Sequence, residues 1–250
     1  MKVTVITVVY NSVNTVEDAL KSVAEQTHPD IEHIVIDGAS DDGTVDVVNQ
    51  YSSSITHFIS EPDKGIYDAM NKGLNLASGD VIGFLNSDDV YANPSVLSDI
   101  VALHQDESLD ACYANLVYVD DLSDSKIKRA WRSREYEPGL CFKGWMPAHP
   151  TLYIKRAMIE KVGSFDITLG NQADLEFCAR AFEVHNMSSH YCRDNWVIMR
   201  TGGASQASLK SMVVSNWRSY KALKKLGLKR NPVSFFAIKF GTKLPQFFAR

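Results

Sequence analysis

Two acidic clusters, each behind a run of apolar residues, constrain the fold of this chain more than any other feature. The first cluster spans residues 37–44 and follows Ile34–Ile36, and the second spans residues 86–89 and follows Val81–Leu85. Short apolar runs of this kind are typical of parallel strands that are buried on both faces. Because ligands of parallel α/β sheets bind beyond the carboxyl ends of the strands, both clusters are predicted to face one crevice. Carboxylates there suit Mg²⁺ or Mn²⁺ carrying a diphosphate, which indicates a nucleotide-sugar enzyme.

The first hundred residues alternate between strand and helix patterns. Strands are predicted at residues 3–9, 32–37, 56–60 and 80–85, and helices at 11–26, 43–51, 65–77 and 94–104. This order predicts an α/β fold with a mostly parallel central sheet and helices on both faces. Farther along, strands are predicted at residues 111–119 and 127–131, and helices at 155–162, 173–184 and 206–226.

The charge of the chain is divided unevenly. Residues 195–250 contain 11 Lys and Arg and no Asp or Glu, whereas residues 1–194 contain 15 Lys and Arg and all 30 acidic residues. From residue 206 onward, aromatic side chains such as Trp217 and Phe235 alternate with basic ones, a composition that suits an anionic membrane surface. The alternative is a helix packed on the acidic body. The N-terminal residues do not resemble a signal peptide. We therefore expect a cytoplasmic protein, peripheral at the inner face of the cytoplasmic membrane.

Four segments, in this order along the chain, resemble family 2 glycosyltransferases of the GT-A fold: Val5–Asn11, Asp37–Thr44, Glu61–Gly73 and Asn86–Asp89. The chain is most similar to the bacterial enzymes that build exopolysaccharide and O-antigen repeat units, of the colanic-acid type. The resemblance implies a Rossmann-like nucleotide-diphospho-sugar transferase domain at residues 1–205, with a nucleotide-binding half at 1–95 and an acceptor half at 96–205. Residues 206–250 would then form a basic, amphipathic helical tail.

The resemblance implies that the donor is bound by these side chains: Tyr10, Asn11, Asp37, Asp63, Lys64, Asp68, Asn86 and Asp88. Asp37 would hold the base, although an aspartate there could instead cap the next helix, a role that suits Asp41 or Asp42 better. Lys64 would offset phosphate charge, unless its segment is only an exposed turn before a helix. Many relatives have two adjacent aspartates at the end of the second strand, and Gly38 takes the second place here.

The second acidic cluster resembles the DxD-type metal motif of the family, with Asn86 where many relatives have aspartate. Mg²⁺ and Mn²⁺ typically take one or two protein carboxylates and keep several waters, so Asp88 and Asp89 are sufficient to hold the ion. A divalent cation of this kind neutralises the diphosphate as the glycosidic bond breaks. The alternative is a turn with an aspartate at the start of a helix.

Asp174 matches the family's general base at the head of a predicted helix. Inverting transfer needs one base to deprotonate the acceptor hydroxyl. Glu176 is the alternative base, but it lies about 200° around the helix from Asp174, so both cannot face the cleft equally. Contacts with the acceptor or the diphosphate are expected for five residues: His149, Trp145, Glu176, Gly202 and Gly203. His149 and Trp145 could equally be structural, and the two glycines could be a hinge.

These residues predict a nonprocessive, inverting, metal-dependent glycosyltransferase. It would move one sugar from a nucleoside diphosphate sugar to a lipid-linked or oligosaccharide acceptor in surface polysaccharide biosynthesis. The chain lacks the QxxRW motif of processive family members. One alternative is a sugar-phosphate nucleotidyltransferase, which would carry a glycine-rich, basic loop where this chain has residues 10–14. The other is a noncatalytic nucleotide-sugar-binding module with a basic interaction tail. No nucleic-acid partner is expected.

Overall fold

The computed structural model describes residues 1–123, 126–201, 209–229 and 231–237. The strands are β1 (Val3–Val9), β2 (Ile31–Asp37), β3 (His57–Ser60), β4 (Val81–Phe84), β5 (Asp89–Tyr91), β6 (Ala111–Val119), β7 (Arg129–Trp131), β8 (Tyr153–Lys155) and β9 (Ser189–Arg200). The α-helices are α1 (Val16–Ala24), α2 (Thr44–Gln50), α3 (Ile66–Leu76), α4 (Val96–Leu103), α5 (Arg156–Val162), α6 (Ala173–Ala179) and α7 (Leu209–Lys225). A π-helical segment, Arg180–Val184, continues α6.

These strands form one sheet in the order β3-β2-β1-β4-β8-β6-β9-β5, with β7 paired to β6. In the N-terminal half, β1 runs parallel to β2 and β4, and β2 runs parallel to β3. The C-terminal half is mixed, because β8 is antiparallel to β4 and β6, and β5 is antiparallel to β9, whereas β9 is parallel to β6. The predicted α/β fold class is confirmed, and parallel pairing is concentrated in the half that carries the two acidic clusters.

Helices cover both faces of the sheet, and β1 shows why. Val3, Val5 and Val9 pack with apolar side chains of α1, α2 and α4, whereas Ile6 and Val8 pack with those of α3 and α5. Side chains of a strand alternate between faces, so a slip of one residue would exchange the two sets. Burial of each Val or Ile contributes about 1.5–3 kcal/mol, which makes the register of β1 well determined.

Three strands of the C-terminal half have no counterpart in the sequence prediction: β5, β8 and β9. β5 and β8 are three residues long, too short to give a periodic pattern. β9 is 12 residues long, but only Trp196 and Val197 in it are buried. It is held by parallel pairing with β6, whose residues are far away in sequence. The local sequence of β9 therefore gives little indication of a strand.

The described part of the predicted tail packs against the body of the protein. Tyr220, Leu223, Leu228 and Phe235 are buried and belong to the same apolar cluster as side chains of α3, α5 and α6. This is the arrangement that the sequence left open as the alternative to a membrane-facing tail. Residues 206–208, 230 and 238–250 lie outside the described residues. Among the helices that are described, none has the length and apolar character needed to cross a bilayer.

A buried carboxylate joins three segments at the edge of the sheet opposite the acidic clusters. Glu32 accepts hydrogen bonds from the Thr4 hydroxyl (2.5 Å) and from the backbone N–H of Ser78 (2.7 Å), and the Lys2 ammonium lies 3.5 Å away. Burial alone would raise the pKa of Glu32, but the hydrogen bonds from Ser78 and Thr4 outweigh it and lower the pKa to about 2. The ionised carboxylate thus stabilises the start of β1, β2 and β4.

We expect Glu32→Gln to lower the free energy of unfolding at pH 7 by about 1–3 kcal/mol, because buried donors lose their acceptor. The pKa of Glu32 in the folded state lies below its ordinary value of 4.5. Its contribution is therefore complete above about pH 4.5 and is lost as the pH falls towards 2. Urea unfolding at a series of pH values from 7 to 3 measures the difference, with Glu25→Gln, at an exposed residue directly after α1, as the control. A difference that stays constant down to pH 3 would contradict the assignment.

Candidate active site

The register of the parallel strands brings the two acidic clusters to one edge of the sheet. Val9, the last residue of β1, is paired with Asp37, and Asp37 is paired with Ser60 at the end of β3. Ile6 is paired with Phe84, so β4 ends at the same edge and the chain continues into Asn86–Asp89. The ends of four neighbouring strands therefore lie along one edge of the sheet, and both acidic clusters follow strands that end there.

Asp37 anchors the first acidic cluster from beneath. Its side chain is fully buried, and its carboxylate accepts hydrogen bonds from the Ser40 N–H (3.0 Å), the Ser40 hydroxyl and the Ser60 hydroxyl (2.7 Å). Tyr10 stands beside it at the end of β1, and 65% of the Tyr10 side chain is exposed. Both residues were predicted to bind the nucleotide-sugar donor. Tyr10 is exposed to a ligand, whereas Asp37 is buried and holds the backbone of the loop.

Hydrogen bonds join the loop after β1 to the loop after β2. The Asn11 side chain accepts from the Asp41 N–H (3.1 Å), and the Asn11 N–H donates to the Ser40 hydroxyl (2.8 Å). Asn11 does not cap α1, which begins only at Val16, because these loop contacts hold Asn11 in a left-handed conformation (φ 47°). Asp42, rather than Asp37, accepts from the Thr44 N–H (3.0 Å) at the start of α2.

The segment between β3 and α3 carries three predicted donor residues. Asp63 accepts from the Gly65 N–H (2.7 Å), and Asp68 accepts from the Lys64 N–H (3.0 Å), so both carboxylates shape the turn into α3. The Lys64 side chain is exposed. A Cβ atom on Gly38 would come within 2.5 Å of Asp63 Oδ2. Gly38 therefore leaves room for Asp63, which brings a second carboxylate to the end of β2.

The second acidic cluster contains buried oxygen atoms that the protein leaves unbonded. The Asn86 amide donates to Asp89 Oδ2 (2.8 Å), but Asn86 Oδ1 and Asp89 Oδ1 are buried with no hydrogen-bond partner in the described chain. Asp89 is fully buried, whereas Asp88 is partly exposed. Burial, and then the charge of Asp88, raise the pKa of Asp89. Unbonded acceptors and a partly exposed carboxylate fit a divalent cation.

Arg200 supports this cluster from the end of β9. Its guanidinium donates to the backbone carbonyl of Asp88 (3.0 Å) and forms an ion pair with Asp18 of α1. Within the described ranges, no group of three or more His, Cys, Asp or Glu could hold a metal ion. A cation here would thus depend on Asp88 and Asp89, with water and the diphosphate completing its coordination.

The two predicted bases of α6 have different surroundings. Asp174 is partly exposed, and its carboxylate accepts from the Leu175 N–H (2.7 Å). Glu176 is buried, and both of its oxygens accept from Arg180, at 3.0 and 2.9 Å. Arg180 also donates to the Ser164 carbonyl (2.8 Å). This two-pronged ion pair holds α6 against the preceding loop, which argues against Glu176 as the alternative base.

An aromatic cluster connects the metal-type motif to α6. Phe84, two residues before Asn86, lies 5.6 Å from Phe165 between ring centroids, and Phe165 stacks on Phe177 of α6 at 4.4 Å. His149 stacks on Phe84 at 5.2 Å. Both nitrogens of His149 are buried without a hydrogen-bond partner among the described residues. Burial lowers the pKa of His149 to about 4, so its imidazole is neutral at pH 7.

Trp145 belongs to a neighbouring aromatic group. Its ring lies 5.9 Å from Tyr113, 6.0 Å from Phe182 and 6.1 Å from Tyr136, and it is partly exposed. The ring is thus positioned by packing while part of it faces outward. Gly202 and Gly203, the other predicted contact residues, lie outside the described part of the chain.

Residues 4–169 match the family described as Glycosyl transferase family 2, and the chain belongs to that family. A similar protein is an uncharacterised glycosyltransferase of Mycobacterium tuberculosis, 34% identical over 181 residues, which are 72% of this chain and 68% of that protein. A PGL/p-HBAD biosynthesis glycosyltransferase of Mycobacterium bovis is 30% identical over 176 residues, 69% of this chain and 66% of that protein.

Solved structures show the same fold. Residues 1–349 of TarS from S. aureus, in complex with UDP-GlcNAc, superpose with a TM-score of 0.71 at 19% identity, covering 96% of this chain and 70% of that chain. The mannosyltransferase PcManGT from Pyrobaculum calidifontis, in complex with GDP-Man and Mn²⁺, gives a TM-score of 0.62 at 17% identity, covering 97% and 80%. The predicted family and GT-A fold are confirmed, and the nucleotidyltransferase alternative is not supported.

Proposed function

We propose that the protein is a nonprocessive, inverting glycosyltransferase that uses Mg²⁺ or Mn²⁺. It transfers one sugar from a nucleoside diphosphate sugar to a lipid-linked or oligosaccharide acceptor in surface polysaccharide biosynthesis. The observation that carries this proposal is the aromatic cluster of Phe84, Phe165 and Phe177. It joins the strand end that bears Asp88 to the helix that bears Asp174. A donor-side carboxylate and a base then border one cleft, and such positioning can supply a large part of a rate enhancement.

On the donor side, the nucleotide binds across the ends of β1, β2 and β3. Tyr10 packs against the base, Asp63 supplies an acceptor for an N–H group of the base, and the buried Asp37 holds the loop beneath them. Lys64 offsets the charge of the diphosphate. Asp88 and Asp89 would hold the cation, with Asn86 beside them, and a cation bound there would offset the charge of the leaving diphosphate. The sugar nucleotides in the two structural neighbours, UDP-GlcNAc and GDP-Man, support a donor of this class.

On the acceptor side, Asp174 accepts the proton of the attacking hydroxyl. Its partial exposure supports this role, because the acceptor must reach the carboxylate. His149 contributes a neutral imidazole, which carries one N–H donor and one acceptor nitrogen for the acceptor or the diphosphate. Trp145 offers an aromatic surface on which a sugar ring can stack.

We expect Asp174→Asn to lower kcat roughly 10²-fold or more, the usual contribution of a general base, with little change in KM for the donor. The reaction measured is release of UDP from UDP-GlcNAc or of GDP from GDP-mannose in the presence of Mn²⁺, with and without oligosaccharide acceptors. The change replaces one carboxylate oxygen by nitrogen, so it should preserve the fold.

Glu176→Gln is the matched control, because it makes the same chemical change two residues away. We expect this variant to unfold at a lower temperature, because the charge of the partly buried Arg180 loses its ionised partner. Below that temperature it should turn over within a few-fold of the wild type. Loss of turnover in Glu176→Gln with full turnover in Asp174→Asn would show that Glu176, and not Asp174, is the base.

We also propose that the C-terminal region binds an anionic membrane surface. In the described tail, Trp217 is 43% exposed although its neighbour Tyr220 is buried. Lys221 lies 6.0 Å from the Trp217 ring centroid, and exposed Lys224 and Lys229 extend the basic surface. Each basic residue near an anionic bilayer contributes about 1 kcal/mol. This surface brings the cleft to an acceptor that is held in the cytoplasmic leaflet.

Changing Lys221, Lys224 and Lys229 together to Gln should reduce co-sedimentation with vesicles of anionic phospholipid by roughly tenfold or more, since about 3 kcal/mol of attraction is lost. Substitution is preferable to truncation, because Leu223 and Phe235 are part of the core. The wild type should also dissociate at 1 M salt, where the Debye length is about 3 Å.

The control variant removes the same number of positive charges from the body of the protein, by changing Lys21, Arg156 and Lys161 to Gln. We expect this variant to bind vesicles as the wild type does. Equal binding by both triple variants, or binding to neutral vesicles only, would rule out the basic surface as the membrane contact.

A further inference from the structure

A side-chain hydrogen bond joins α7 to the start of α6. The Ser219 hydroxyl, on α7, donates to the side-chain carbonyl of Gln172, the residue directly before α6. These two residues are 47 apart in sequence, and Ser219 is 1% exposed, so the bond is shielded from water. Asp174, the proposed base, lies two residues after Gln172, in the first turn of α6. α7 therefore contacts the chain directly before the proposed base.

Gln172 belongs to a tight turn that begins α6. The Gly170 carbonyl accepts from the backbone N–H groups of Gln172 (2.6 Å) and Ala173 (2.9 Å). The Gln172 carbonyl accepts from the Glu176 N–H (3.1 Å), which closes the first turn of the helix. The Gln172 side chain also donates to the Asn171 carbonyl (2.6 Å). Its amide group is thus bonded both to α7 and to the backbone of the turn, so a displacement of α7 is transmitted to the first residues of α6.

The neighbour of Ser219 packs against the same turn. Gly170 has a φ of 53° and a ψ of −138°, a combination that glycine adopts far more readily than other residues. A Cβ atom on Gly170 would lie 3.5 Å from the Arg218 guanidinium. α7 also packs against the 3₁₀ turn Ile167–Leu169. The loop before α6 is therefore in contact with α7 at several points.

The side of α7 that carries Ser219 is fixed to the body of the protein. Tyr220 and Leu223 are buried in the apolar cluster that also contains Phe177 of α6. Trp217, two residues before Ser219, lies about 200° around the helix and is 43% exposed. The buried packing holds α7 in place, so the Ser219 hydroxyl is a fixed point for the turn that precedes α6.

We propose that Ser219 is a positioning residue for glycosyl transfer, and that its bond to Gln172 fixes the start of α6 and thereby the direction of the Asp174 carboxylate. This inference rests on the proposed role of Asp174 as the base. A misplacement of about 1 Å can lower a rate 10²-fold, even when it originates far from the reacting atoms. α7 thus serves the acceptor side of the cleft as well as the proposed membrane surface.

Hydrogen exchange measured by mass spectrometry tests the contact without a substrate. In Ser219→Ala, which removes only the hydroxyl, the amides of residues 165–177 should exchange roughly two- to tenfold faster than in the wild type, the scale of one hydrogen bond. The amides of α1 should exchange as in the wild type, because α1 packs in other apolar clusters. Unchanged exchange at 165–177, or equal acceleration in both regions, overturns the proposal.

Turnover of UDP-GlcNAc or GDP-mannose in the presence of Mn²⁺ tests the effect on catalysis. We expect Ser219→Ala and Gln172→Met each to lower kcat roughly tenfold and to leave KM for the donor unchanged. Because both changes remove the same bond, the double variant should be no slower than the slower single variant. Wild-type kcat in either single variant overturns the proposal, as does a loss of about a hundredfold in the double variant, which would show two independent effects.

The matched control is Ser98→Ala. The Ser98 hydroxyl, on α4, is hydrogen-bonded to the Thr27 hydroxyl (2.9 Å), so this change also removes a hydroxyl contact between a helix and a neighbouring loop. The buried side chains of α4 belong to a different apolar cluster from those of α6. We expect kcat and the exchange at 165–177 to match the wild type. Effects in Ser98→Ala as large as those in Ser219→Ala would indicate a general loss of stability and overturn the proposal.

Asp174→Asn separates the positioning role from the proposed base. If Asp174→Asn loses turnover while Ser219→Ala keeps it, only the positioning role fails. If Asp174→Asn turns over like the wild type, the proposed base fails, and the role of Ser219 fails with it. Gln172 is partly exposed, so Gln172→Met should fold even if Ser219→Ala does not, and both measurements are then made on Gln172→Met.

Discussion

The parallel pairing of β1 with β2 and β4 is the constraint on which the rest of the structure depends. It sets Val9 beside Asp37 and Ile6 beside Phe84, so β1, β2 and β4 end at the same edge of the sheet. The alternating burial of β1 between two layers of helices maintains this register, because a slip of one residue would turn each apolar side chain to the wrong face. The positions of both acidic clusters follow from the register, and no contact between the clusters is needed to bring them together.

The polar residues at this edge fall into two groups. Asp37, Asn11 and Asp42 are bonded to neighbouring loops, and they hold the backbone. Asn86, Asp89 and His149 instead have buried polar atoms without partners in the described chain. Leaving such an atom unbonded costs about 1–3 kcal/mol, a cost that a bound ligand can offset. The unbonded atoms lie after β4 and beside Phe84, where the donor and the cleft are proposed to meet.

Much of this arrangement could be predicted from sequence, since it depends on local patterns. Strands that are buried on both faces appear in the sequence as continuous apolar runs. The acidic clusters were found because they directly follow two such runs. The Glu176–Arg180 pair, four residues apart on one helix, was also within reach of sequence reasoning. Arg200 was missed because its partner, Asp88, is more than a hundred residues away in sequence. The packing of α7 was left open for a similar reason, because an amphipathic helix suits a protein core as well as a membrane.

The central claim is that Asp88 serves the donor and its cation while Asp174 serves the acceptor. Calorimetric titration of UDP and of GDP, each with and without Mn²⁺, tests it on the wild type, Asp88→Asn and Asp174→Asn. The account predicts that Mn²⁺ tightens binding of one of the nucleotides to the wild type and to Asp174→Asn, by roughly tenfold or 1.4 kcal/mol, and fails to do so in Asp88→Asn. Metal-independent binding by the wild type, or loss of the Mn²⁺ effect in Asp174→Asn with its retention in Asp88→Asn, would contradict it.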